Sequence, residues 1–124
     1  MNISEFAGID LQDTFVLAWH EGPEEIVFHV LAHLTQDHPM STPPQAGDWA
    51  CYRPAIIVFQ STTLVTGLKP QASSVPTTDA SGSVDYGTID SLYLASPGEY
   101  RISGEFGEAT IHARSVRLFL APAA

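Results

Sequence analysis

The sequence predicts an all-β fold, a single antiparallel β-sandwich or partly open barrel of about eight strands, spanning residues 1–124 and ending in a meander. Three observations carry this expectation. The C-terminal third alternates apolar and polar residues with a period of two. The upstream apolar runs are short, rich in β-branched and aromatic residues, and bounded by turn formers. The stretches that break the pattern are rich in Pro, Ser, Thr and Gly. A chain of 124 residues is one domain by size, and folding hides roughly two thirds of its unfolded surface. With 44% hydrophobic residues it fills a core without a disulfide or metal staple.

Thr14–Trp19 reads as the first strand. The segment 24–35, EEIVFHVLAHLT, has two readings. As a helix, Pro23 takes the first position with Glu24 and Glu25 behind it, and His29 and His33 lie one turn apart at about 6 Å. As a strand, Ile26, Phe28, Val30, Ala32 and Leu34 point inward, and His29 and His33 point outward about 13 Å apart, too far to share an ion. The β-branched and aromatic content favours the strand. Val30 also stands where a His-Glu-x-x-His helix would carry its glutamate. His20 and His38 fall in flanking loops, so no metal site and no cofactor are expected.

His38–Asp48 and Lys69–Ser83 read as long surface loops, with a strand at Tyr52–Phe59 and a shorter one at Ser61–Leu68. Leu92–Ala95 runs into Ser96-Pro97-Gly98-Glu99, which suits a type II turn. Tyr100–Phe106 then alternates, and Gly107-Glu108 fits a two-residue hairpin turn with glycine first. On the return strand Ala109, Ile111 and Ala113 face inward. The phase shifts at Arg114-Ser115, as a bulge would shift it, before Val116, Leu118 and Leu120.

That hairpin register places Glu105 opposite Thr110, Ser103 opposite His112 and Arg101 opposite Arg114. Like charges face to face are unfavourable. Nearby Glu99, Glu105 and Glu108 can neutralise them. Alternatively Arg101, His112 and Arg114 form an anion- or carboxylate-binding patch, since guanidinium forks suit carboxylates.

Other chemistry finds little support. Cys51 is the only cysteine, which excludes an internal disulfide and a thiolate zinc cluster; at a strand entrance it reads as a buried structural thiol. The loop serines lack a Gly-x-Ser-x-Gly elbow. Asp79–Asp85 lacks the alternating ligands of a calcium loop. Asp85 and Asp90 suit turns and caps, and Gly104–Gly107 precedes a strand rather than a helix, so it is no phosphate loop. No catalytic residue emerges.

The net charge is -9, with only Arg53, Lys69, Arg101, Arg114 and Arg117 basic. Nucleic acid and anionic membranes would need basic density that this chain lacks. An acidic surface maintains solubility and steers toward basic partners. The start carries no basic and apolar leader, and the apolar runs are too short to span a bilayer, so a cytoplasmic protein is expected. Few lysines guard the sheet edges, which predicts a homodimer.

Ile9–Thr14, His38-Pro39, Trp49–Arg53, Asp85–Asp90 and Gly104–Gly107 together resemble a family of small, uncharacterised bacterial all-β proteins. They are distantly similar to sandwich proteins of the toxin-immunity type. Those relatives tend to carry a His-Asp pair where this chain has Gln12-Asp13. The resemblance implies a non-enzymatic protein-interaction module, of immunity or inhibitor type, and supplies no catalytic residue. The alternative is a small-anion binder or weak enzyme using Arg101, His112 and Arg114.

Overall fold

The computed structural model describes residues 3–43, 51–78, 80 and 82–121. Ten strands run through them: β1 (Ile9–Glu21), β2 (Glu25–Leu34), β3 (Cys51–Gln60), β4 (Leu64–Thr66), β5 (Thr77–Thr78), β6 (Val84–Asp85), β7 (Ser91–Ser96), β8 (Glu99–Gly104), β9 (Gly107–His112) and β10 (Ser115–Leu120). They form three antiparallel sheets, ordered β1-β2-β3-β10, β4-β9-β8-β7 and β5-β6. The fold is all-β, and no sheet closes into a barrel. The strand count exceeds the expected eight partly because β5 and β6 are two residues each. Among the described residues no helix is long and apolar enough to cross a membrane.

Alternation builds the core. The segment 24–35 forms the strand Glu25–Leu34, not a helix, and Ile26, Phe28, Val30, Ala32 and Leu34 are all buried. Opposite them β3 contributes Ala55, Ile57 and Phe59. The second sheet buries Tyr100, Ile102, Ala109 and Ile111 in the same cluster. Aromatic rings join the sheets, with Phe59 5.5 Å from Tyr100 and Phe28 5.0 Å from Phe106. Each such side chain stabilises the fold by roughly 1.5–3 kcal/mol through burial.

The Pro97-Gly98 turn forms as the sequence suggests, with Gly98 at φ 76°. The next turn does not. Gly104 pairs with Gly107, so Glu105-Phe106 is the loop and Gly107-Glu108 already belongs to β9. Phe106 drives the change, because its ring is wholly buried against Trp19 and Phe28 and folds back over Gly104. A Cβ on Gly104 would lie 2.8 Å from that ring. Moving the turn two residues upstream moves every pairing by four. Arg101 therefore faces Thr110 rather than Arg114, and Glu99 faces His112. An even shift preserves which residues point inward.

The phase change near Arg114 is likewise not a bulge. The chain crosses there between sheets: Ala113 N–H donates to Gly98 O, and Arg114 N–H donates to Gln60 O at the end of β3. The meander is β7-β8-β9, and β10 leaves it to pair with β3.

Of the two expected loops, residues 44–48 of the first lie outside the described residues, as do Asp79 and Ser81 of the second. The start of Lys69–Ser83 is tied to the core. Lys69 O accepts from Trp19 Nε1 (2.7 Å), and Gln71 Oε1 accepts from Trp19 N–H (2.8 Å), the backbone donor just after the β1 irregularity at Val16/Ala18.

Candidate functional site

Of the three basic residues singled out from the sequence, two are brought together, on Glu99. Arg101 bonds Glu99 Oε2 at 3.1 Å, and His112 Nε2 lies 4.0 Å from the other Glu99 oxygen. The Tyr93 side chain and Glu99 both hold Arg101 more firmly protonated. Glu99 thus supplies the carboxylate that these groups would take from a ligand. Arg114 stands past the end of β9, exposed and outside this grouping.

His20, His29 and His33 distribute along the outer face of the first sheet, while His38 lies in the turn after β2, as expected. His20 belongs to β1 rather than to a loop, because that strand continues to Glu21. Its ring lies 5.5 Å from that of His29 on the neighbouring strand. His29 and His33 point away from the core, as strand geometry requires.

His33 is instead grouped with two aspartates, through a feature of β1. Between the pairs Asp10–His33 and Phe15–Leu31, β1 advances five residues while β2 advances two. Three extra residues must leave the ladder. Thr14, wholly buried, pins them: its hydroxyl donates to Asp10 O (2.7 Å) and accepts from His33 N–H (3.2 Å). The diversion carries Asp13 back over the sheet, so that Asp13 Oδ2 lies 2.9 Å and Asp10 Oδ2 3.7 Å from His33 Nδ1. The Tyr52 hydroxyl donates to the same Asp13 oxygen at 3.0 Å, and its ring packs 5.3 Å from His33. Bulges commonly redirect side chains in this way. The sequence offers no local signal for the grouping, because Asp13 and His33 meet only through the β1-β2 register.

Beyond His33 the outer face turns apolar. Phe15 and Leu31 pair across β1 and β2, and Val27 and Val58 are buried although they face away from the main core. Leu17, Ile56, Phe119, Pro54 and His29 line a shallow groove of about 360 Å³, in which Leu17 (38%) and Phe119 (43%) remain well exposed. Acidic groups bracket this band: Asp10 and Asp13 at one end, and Glu21, Glu24 and Glu25 at the other. Antiparallel sheets ordinarily carry polar residues on the face turned from the core.

Cys51 opens β3 on the inward side and is buried. The Thr42 N–H, 3.5 Å from Sγ, pulls its thiol below the ordinary pKa, against the opposing effect of burial. Asp85 has the turn role expected of it, accepting from Gly87 N–H at 2.7 Å. No family model, curated protein or solved structure matches this chain.

Proposed function

We propose that this protein is a non-enzymatic interaction module that docks a basic protein partner on the outer face of its first sheet. One observation carries the reading: a sheet face turned from the core carries an apolar band, Leu17, Ile56 and Phe119 among it, between two acidic ends. Exposed contiguous apolar surface marks protein contact sites, and charge around it selects the partner. The net charge of -9 favours a basic partner over a second copy of the same chain. An inhibitor or immunity-type role fits such a surface, since neutralising a toxin or enzyme requires only tight coverage.

The test uses a photo-cross-linker at position 119 in extract of the native cells, with position 93 on the opposite sheet as control. The captured protein is then purified and its affinity measured. We expect a basic protein, captured from 119 and not from 93, whose affinity falls at least about tenfold in Phe119→Asp, roughly 1.4 kcal/mol. Equal affinity of wild type and Phe119→Asp would remove the face from consideration.

A further inference from the structure

We infer that Asp10, Asp13 and His33 form a binding site for one divalent transition-metal ion of the zinc class, independently of the docking reading above. The three side chains each offer one donor atom, and these atoms lie within 4.8 Å of one another. Two donors bound at about 2.1 Å to one ion, at tetrahedral or octahedral angles, lie about 3.0–3.4 Å apart. The separations of 2.9 and 3.7 Å from His33 Nδ1 bracket that range.

The donor set makes the chemistry more specific than a pair of carboxylates would. One imidazole nitrogen with two carboxylate oxygens suits zinc, manganese or iron better than calcium or magnesium, which prefer oxygen alone. Three protein donors leave a fourth position for water or an incoming group. The surroundings hold the donors in place. Tyr52 orients Asp13, and buried Thr14 fixes both the Asp10 backbone and the His33 backbone. Asp10, the most exposed of the three side chains, leaves the donors open to solvent.

Zinc is titrated calorimetrically into the untagged protein, and cobalt(II) is followed by its visible absorption. One saturable equivalent is expected, with affinity at least about tenfold weaker in Asp13→Asn and His33→Gln. Those two changes remove structural contacts as well. Asp10→Asn is therefore the discriminating variant, because the Asp10 side chain is 44% exposed and its carboxylate can change while the fold is retained. It should also lose at least about tenfold with an unchanged circular dichroism spectrum. His29→Ala removes the competing His20–His29 pair and should leave the equivalent intact. Absence of a saturable signal, or a signal that follows His29→Ala and ignores Asp10→Asn, would overturn the assignment.

Discussion

Thr14 shows how much one buried hydroxyl decides. It replaces the ladder acceptor that His33 N–H loses where β1 leaves the sheet, and it closes the diverted segment on Asp10. Thr14→Val retains the shape and removes both bonds. A buried donor left unsatisfied costs about 1–3 kcal/mol. Urea denaturation should show a loss of that size, with the Asp13–His33 contact loosened in the same variant. Cys51 offers a second test at this scale. Its thiol is held below the ordinary value of 9.0, chiefly by the Thr42 N–H. Between the lowered pKa and that value the unfolded chain keeps a proton that the folded chain has released, so stability rises with pH. Compared with Cys51→Ser, wild-type melting should gain as pH rises toward 9.0 and lose that gain as pH falls through the folded pKa. Thiolate absorbance in Thr42→Val, which lacks the hydroxyl contact at 3.7 Å, should titrate higher than in wild type.

Among the elements, the β8-β9 hairpin shows what was legible in the sequence and what was not. Period-two alternation identified both strands and their buried faces, because side-chain direction depends only on the backbone. The turn was misplaced because Gly107 satisfies two descriptions equally: first residue of a turn, or close-approach position within a strand. Its positive φ of 104° suits either, and the proximity of Gly67 O, 2.6 Å from a Cβ there, belongs to the second. Only the tertiary burial of Phe106 resolves the choice. The same reasoning covers the site. The strand character of residues 24–35 was readable, whereas the Asp10–Asp13–His33 grouping needed the three-residue diversion in β1, which no local pattern encodes. Two mutational outcomes follow from the corrected register. Gly107→Ala should cost more than about 1 kcal/mol in chemical denaturation, since the new side chain meets both a left-handed backbone and a neighbouring carbonyl. Arg114→Thr, with Arg101 facing Thr110 instead, should shift stability by less than about 0.5 kcal/mol, as for an ordinary surface residue.

At the scale of the molecule, the question is what meets the apolar face. Open sheet edges argued for a homodimer, yet the first sheet's edges are partly covered. Glu5 Oε2 accepts the Leu118 N–H on β10, and residues 86–89 bond along β1 through Tyr86 N–H, Val16 N–H and Ile89 N–H. Self-association through the outer face would bring together two chains of charge -9. Added salt screens such repulsion, with a Debye length near 10 Å at 0.1 M and about 3 Å at 1 M. A dimer formed through this face should therefore strengthen with ionic strength, whereas a complex with a basic partner should weaken, mainly through slower association. Light scattering of the isolated chain in low and high salt, beside binding kinetics with the captured partner, separates the two. We expect a monomer at low salt and a partner association rate that falls as salt rises. A dimer at low salt that persists in Phe119→Asp would place self-assembly elsewhere, with the exposed β7 edge of the second sheet as the next surface to test.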